Sequence, residues 1–245
     1  MTAVYGAEFA EIYDLVYAAR GKDYATECAE VVRQVRARRP DASSLLDLAC
    51  GTGAHLALLR EEFETVEGLE LSEPMLAKAR AAVPGTTVHH GDIRDFRLGR
   101  TYDAVICMFS SVGYVGSAEN LDATLRSVAR HLDPGGVVLL EPWYFPEAFT
   151  PEYIADDLVR TEDRVAVRVS YSVREGDQVP ITVHYIDALK GRGIRHFTDV
   201  HRMSLFTREQ YRAAFERAGC SVEYVEGGPF RCGLFVGIRK DDPPA

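Results

Sequence analysis

Positive charge is what this sequence most lacks: 28 Lys and Arg stand against 37 Asp and Glu, a formal net charge of −9. Nucleic-acid binding needs a basic footprint, so that class of function is set aside. A small phosphorylated ligand is not, because roughly two or three local cations can hold a diphosphate. Cysteine is also scarce. Cys28, Cys50, Cys107, Cys220 and Cys232 are odd in number and scattered, with no C-x-x-C pair; this argues against a disulfide framework or a zinc site. Histidines 184, 196 and 201 are not spaced as ligands on one strand and have no acid cluster beside them, so no metal is expected. No stretch approaches the ~18 uncharged apolar residues of a membrane span. The start, M-T-A-V-Y-G-A-E-F-A-E-I-Y, carries acids where a secretory leader carries bases. A soluble, cytoplasmic protein with no membrane partner is expected, and there is no internal repeat or low-complexity segment.

What is present is a core and an alternation of elements. Of 245 residues, 47% are apolar and 10% aromatic, enough for one large domain or one domain with an insertion. Residues 23–39 place Ala25, Cys28, Ala29, Val32 and Val35 on one helical face, and Pro40 stops the helix. The apolar run 44–49 reads as a buried strand, Gly51-Thr52-Gly53 as a turn and 54–63 as the helix behind it. Next come a second strand over 65–71, a helix capped by Ser72 and running to Ala82, and a third strand over 86–90. Residues 102–109 read as a fourth strand, 120–132 as a helix ended by Pro134-Gly135-Gly136, and 137–141 as a fifth strand.

This alternation predicts an α/β class, a Rossmann-like parallel sheet flanked by crossover helices. Between Trp143 and Phe206 the helical period disappears. Residues 165–173, 179–189 and 194–205 alternate like antiparallel strands that turn at Glu175-Gly176-Asp177 and Gly191-Arg192-Gly193. The expected organisation is a core over 1–142, an antiparallel β insertion over 143–206 after strand five, and a return to the core sheet over 207–245. That last part holds a helix capped by Thr207 and strands over 221–226 and 234–239. The tail from Asp241 to Ala245 is expected to fray.

Residues 45–55 read L-L-D-L-A-C-G-T-G-A-H, and 68–72 read G-L-E-L-S. Ligands of open α/β sheets sit at the carboxyl ends of the strands, where glycines admit close backbone approach and a helix start offers free N–H groups. A phosphate-binding P-loop needs a Lys that does not follow Gly53. A dinucleotide fingerprint needs a third glycine where bulky Leu56 stands. S-adenosylmethionine has no diphosphate but has a ribose diol, which the acid Glu70 at the end of strand two can hold. Asp92, in Gly91-Asp92 after strand three, is placed to accept the adenine amino group, or else is a turn acid paired with Arg94.

The stretches D-L-A-C-G-T-G, G-L-E-L-S, H-G-D-I-R-D-F and L-D-P-G-G-V-V-L-L-E-P-W resemble class I S-adenosylmethionine-dependent methyltransferases. I-Y-D-L-V-Y, R-G-K-D-Y, C-M-F-S-S-V-G-Y, E-P-W-Y-F-P-E-A-F and F-T-D-V-H-R-M-S-L-F-T-R-E-Q-Y resemble a narrower group. These are the N-methyltransferases that dimethylate amino groups on dTDP-linked deoxysugars of macrolides and related natural products. The resemblance covers nearly the whole chain. It implies that Tyr13 and Tyr24 hold the methionine carboxylate and that Ala49 and Gly51 lie against the cofactor. Glu70 would hold the ribose, Leu71 and Met75 flank adenine, Asp92 and Ile93 read its edge, and Met108 sit near the sulfonium. For Tyr13 the alternative is a tyrosine of an amphipathic helix that packs on the sheet, and for Met75 and Met108 it is ordinary core packing.

The resemblance also implies that Tyr5 and Tyr114 lie near the sugar amine, with Ser110 and Ser111 beside it; a mobile tail is the alternative for Tyr5. Trp143 faces the substrate or packs under the insertion. Arg231 is the diphosphate candidate, because guanidinium offers a two-pronged donor, although it stands one place earlier than the relatives' arginine, where this chain has Cys232. Arg174 and Arg202 are alternatives, or solvated strand charges. A homodimer and the product S-adenosylhomocysteine are implied too. Two further readings stand beside this one: methylation of another small amine or a hydroxyl, and a non-catalytic cofactor-binding subunit.

Overall fold

The computed structural model describes residues 5–241, so the predicted fraying beyond Asp241 lies outside the described residues. Seven strands form the main sheet in the order β10-β11-β5-β4-β1-β2-β3: β1 (Ser44–Leu48), β2 (Thr65–Glu70), β3 (Val88–His90), β4 (Tyr102–Cys107), β5 (Leu132–Leu140), β10 (Cys220–Val225) and β11 (Leu234–Arg239). The first five pair in parallel, and β11 and β10 close the edge antiparallel. β4, the central strand, is buried at every position, as a strand covered on both faces must be.

Helices α2 (Tyr24–Arg36), α3 (Ala54–Leu59), α4 (Glu73–Ala82), α5 (Ala118–Arg130) and α6 (Arg208–Arg217) flank this sheet. Their starts are chemically marked. Asp23, Ser72 and Ser117 each accept a backbone N–H three residues on, and Thr207 and Gln210 form a reciprocal capping box. Leu56, the residue that spoiled the dinucleotide fingerprint, is fully buried on α3. Its room comes from the other side. A Cβ on Gly68 of β2 would lie 2.8 Å from Leu56 Cδ1, so the strand rather than the helix supplies the glycine.

Three expectations are corrected. Residues 7–19 form a helix, α1 (Ala7–Ala19), to which no element was assigned. β5 begins at Leu132, so Pro134-Gly135-Gly136 lies inside the strand; the register jumps from Tyr102↔Leu132 to Ala104↔Val137, and left-handed Gly135 takes up the surplus residues as a bulge. The insertion holds four strands, not three: β6 (Tyr153–Arg160), β7 (Arg164–Ser172), β8 (Gln178–Leu189) and β9 (Gly193–Ser204), in the order β6-β7-β8-β9. The expected turns at Gly176 and Gly191–Gly193 are present, each glycine with positive φ. Among the described residues no helix is long and apolar enough to cross a membrane.

The second sheet closes over the carboxyl ends of the first. On its inner face Tyr185 of β8 stacks on Phe9 of α1, with ring centroids 4.8 Å apart, and Val183 and Phe197 complete that cluster. Arg164 and Arg195 hold Glu11 of α1 on one side and buried Asp187 on the other. Helix α1 is thereby clamped between the two sheets.

Candidate active site

Two adjoining cavities lie at the carboxyl ends of β1, β2 and β4. The larger, of about 770 Å³, is lined by Tyr5, Tyr13, Ala49, Gly51, Glu70, Leu71, Met75, Asp92, Ile93, Ser111 and Tyr114, with Ser72, Arg94, Phe109 and Val115 completing its wall. The smaller, of about 350 Å³, is lined by Tyr13, Tyr24, Asp47, Ala49, Gly51, His55, Met108 and Ser111, among others. Thus thirteen of the residues singled out from sequence meet in one continuous region. Ser110, Trp143 and Arg231 line neither cavity.

The backbone here is strained where ligand approach requires it. Ala49 (φ 55), Phe109 (φ 54) and Ser110 (φ 58) are non-glycine residues in the left-handed region, and all three follow strand ends at the cavities. Gly51 and Gly53 also have positive φ. A Cβ on Gly53 would come 3.2 Å from Ala79 Cα, so the turn packs directly on α4. Thr52 between them donates to Asp14 of α1 at 2.6 Å, which ties the glycine turn to the covering helix.

Glu70 braces the turn. Its carboxylate accepts from Gly51 N at 2.9 Å and from Ser72 N at 2.7 Å. Burial pushes its pKa up, and those two N–H groups pull it partly back. Asp47 is fully buried beside the smaller cavity, and its Oδ2 has no hydrogen-bond partner among the described residues. Burial, then the nearby Glu70 charge, pushes it well above the ordinary carboxylate range. Glu141, just past β5, accepts from Phe109 N at 2.6 Å, and burial raises it to about 7. Lys22 is the local cation: it pairs with Glu27 at 2.6 Å and sits 3.7 Å from the centroid of the Phe109 ring.

These groups fit S-adenosylmethionine. The orphaned Asp47 carboxyl and the buried Glu70 line cavities short of positive charge, and the cofactor carries a sulfonium and an ammonium. Tyr13 and Tyr24 supply hydroxyls at the same end. At the other end Asp92 lines the larger cavity and also forms a bidentate pair with Arg94, which holds its carboxyl below the usual range against the cost of burial. Asp92 thus lines the cavity and pairs with Arg94 at once. Met75 lines the larger cavity and Met108 the smaller, while both are buried in hydrophobic clusters.

The larger cavity ends at a hydrogen-bonded chain. Tyr5 OH and Tyr114 OH are 2.9 Å apart, and Tyr114 OH is 3.0 Å from His201 Nδ1. Ser72 hydroxyl donates to the Tyr5 carbonyl at 2.8 Å and holds the arm in place. His201 was read only as a histidine that binds no metal. Its place in this chain depends on a contact across 87 residues, which no local pattern announces. His184 and His196 lie together elsewhere, 3.0 Å apart on exposed strand faces.

The three outlying residues sit as follows. Ser110 Oγ donates to the Pro142 carbonyl at 3.0 Å, because its left-handed backbone turns the side chain away from the cavity. Trp143 packs against Tyr144 and Phe149, with centroids 5.4 and 5.6 Å away, beneath the insertion. Arg231 is exposed and lies over the Tyr144 ring at 5.0 Å. Arg174 bonds the carbonyls of Pro146 and Gly176, and Arg202 pairs with Glu175.

Comparison with known proteins gives a consistent result. The family described as "Methyltransferase domain" matches residues 45–136. Over 235 residues, 96% of this chain and 99% of the relative, the chain is 53% identical to the dTDP-3-amino-3,4,6-trideoxy-alpha-D-glucopyranose N,N-dimethyltransferase of Streptomyces venezuelae. The crystal structure of Streptomyces venezuelae DesVI superposes with TM-score 0.91 and 53% identity, covering 96% of this chain and all of that one. The SAM-bound structure of CalS10, an amino pentose methyltransferase from Micromonospora echinaspora, gives TM-score 0.86 and 46% identity, covering 94% and 97% of the two chains.

Proposed function

The chain belongs to the S-adenosylmethionine-dependent N,N-dimethyltransferases of dTDP-linked amino deoxysugars, and on that premise we propose that it dimethylates the C3 amine of such a sugar. The observation that carries the reading is the joining of two features in one cavity: the Glu70–Gly51 cofactor turn at one end and the Tyr5–Tyr114 hydroxyls at the other. The C3 position follows the 3-amino sugar named for the relative that is 53% identical.

S-adenosylmethionine, when bound, supplies an electrophilic methyl group. Glu70 is positioned to accept the ribose hydroxyls, Leu71, Met75, Asp92 and Ile93 to enclose adenine, and Ala49, Gly51, Tyr13, Tyr24 and Met108 to hold the methionine end. The remaining work is alignment and exclusion of water, which Tyr13 of α1 and Tyr5 of the arm before it perform by closing the cavity. The sugar amine sheds its proton to solvent before binding, so no side chain is an obligatory base. Burial and the neighbouring tyrosines keep both phenols neutral. Ser111 borders the amine. Trp143, Tyr144 and Arg231 form the outer aromatic and cationic shelf toward the nucleotide, with Ser110 fixing the strand end between them.

The reading also includes a homodimer through the outer face of β6–β9. Ile154, Leu158, Val169, Tyr171, Ile186, Ile194 and Val200 are exposed on it, an apolar patch of the kind that second copies cover. Residues 1–142 with 207–245 act as the cofactor-binding core, and 143–206 as the substrate and dimer element. A cytoplasmic location fits the five free thiols.

The test is to incubate the protein with S-adenosylmethionine and a panel of dTDP-3-amino and dTDP-4-amino deoxysugars and to read masses. Successive addition of one and then two methyl groups to a 3-amino sugar is expected. Addition only to a 4-amino sugar would move the site of transfer, and turnover of a different amine or a hydroxyl would replace the substrate. Tight cofactor binding without any turnover would favour the non-catalytic subunit.

A further inference from the structure

Behind the cavity wall made by Tyr5 and Tyr114 stands His201 of β9. It is buried and does not itself line the cavity. Its ring lies against both tyrosines, with centroids 5.4 Å from Tyr5 and 6.0 Å from Tyr114, and its Nδ1 is 3.0 Å from Tyr114 OH. Burial, aided by the Arg168 charge, lowers its pKa to about 4, so the imidazole is neutral at physiological pH. A neutral imidazole has one N–H and one bare nitrogen, and which of the two faces Tyr114 sets the direction of every hydrogen bond in the chain.

With a bare Nδ1, Tyr114 donates its only proton to His201. The 2.9 Å bond between the phenols must then be donated by Tyr5, and both oxygens present lone pairs to the cavity. With Nδ1–H the chain reverses, and a phenol proton points into the cavity. The two cases have opposite consequences for an amine. A primary amine has two N–H groups and one lone pair, and only the lone pair attacks carbon. Two acceptors hold the N–H groups and leave the lone pair facing the methyl group, whereas a donor would bind the lone pair itself.

We propose that His201 is a positioning residue whose bare Nδ1 takes the Tyr114 hydroxyl as donor and so makes Tyr114 and Tyr5 hydrogen-bond acceptors for the substrate amine. This rests on the assignment of an amine substrate above. No proton is transferred to His201, which acts only through Tyr114.

Two measurements test it. Nitrogen NMR of the histidine side chains in the wild-type protein reports the tautomer directly and needs no substrate. A proton on Nε2 of His201 is expected, and a proton on Nδ1 would overturn the proposal even if the sugar assignment stands. The second is a kinetic cycle on the sugar that the wild type methylates. Loss of one such bond corresponds to a fall in kcat of about tenfold for His201→Leu with KM little changed, while His201→Asn, whose amide oxygen overlays Nδ1, stays within about threefold. In the Tyr114→Phe background His201→Leu should add less than about twofold. Full multiplication of the two losses would show that His201 does not act through Tyr114. A wild type that methylates no amino sugar but another amine would refute the sugar assignment alone, and one that methylates no amine would overturn this proposal whatever the tautomer.

Discussion

The acids at the carboxyl edge of the seven-stranded sheet and Asp187 beneath α1 are held in opposite ways. At the carboxyl edge of the seven-stranded sheet, Asp47, Glu70 and Glu141 are buried with no arginine or lysine salt bridge among the described residues, and burial raises the pKa of each. On the inner face of the four-stranded sheet, Asp187 is equally buried but is gripped by Arg164 and Arg195, which lower its pKa. A buried acid with fixed partners is structural, because its neutralisation is complete within the chain. A buried acid without one costs stability that a cationic ligand can return. The contrast separates the acids beside the cavities from the one that fixes α1 to the second sheet.

That contrast can be broken in several ways. The largest effect on stability should come from Asp187→Asn, which leaves Arg164 and Arg195 with Glu11 as their shared acid: a loss of about 2 kcal/mol of stability by denaturant titration, with the cofactor affinity of the folded protein unchanged. Next is Glu70→Ala. It removes the brace of Gly51 and Ser72 together with the ribose contact, so calorimetry should show S-adenosylmethionine binding weakened by about a hundredfold; a change below about threefold would remove Glu70 from the site.

Glu141→Gln should act through pH. The carboxyl is raised from its ordinary 4.5 to about 7, so its contribution is full below 4.5 and is lost as pH rises through 7. His201, lowered from 6.5 to about 4, works in the other direction, losing its contribution as pH falls from 6.5 through 4. The variant should therefore show a shallower decline in stability between pH 4.5 and 7, lacking Glu141's share while Asp199, raised to about 6, keeps its own, and should keep the acid-side loss from His201; identical pH profiles for variant and wild type would contradict the burial of Glu141. The smallest effect belongs to Tyr114→Phe, whose rate should fall by less than about tenfold. A thousandfold loss would mean an obligatory base.

The same contrast explains what was legible in the sequence. The cofactor half is written locally. Gly51, Gly53, Glu70 and Asp92 stand at or just past strand ends within 42 residues, and β1 and β4 carry apolar runs of their own. Their meeting at one cavity follows from parallel topology alone. The lid is not local. β6 escaped because it is an edge strand whose apolar residues, Ile154 and Leu158, face outward, while Asp156 and Asp157 interrupt its middle. α1 escaped because its apolar face packs on a sheet more than 150 residues away. The position of Ser110 turned on a left-handed backbone that no residue type at 109 or 110 signals, and His201 on a contact between distant elements.

The most direct test of the account is Asp47→Asn, measured twice. Thermal unfolding of the ligand-free protein should show a higher Tm than wild type, because an orphaned buried carboxyl is replaced by an amide. Calorimetry should show S-adenosylmethionine binding weakened by about tenfold, because a buried counter-charge is lost. A lower Tm with unchanged affinity would contradict the account and would make Asp47 a structural acid like Asp187.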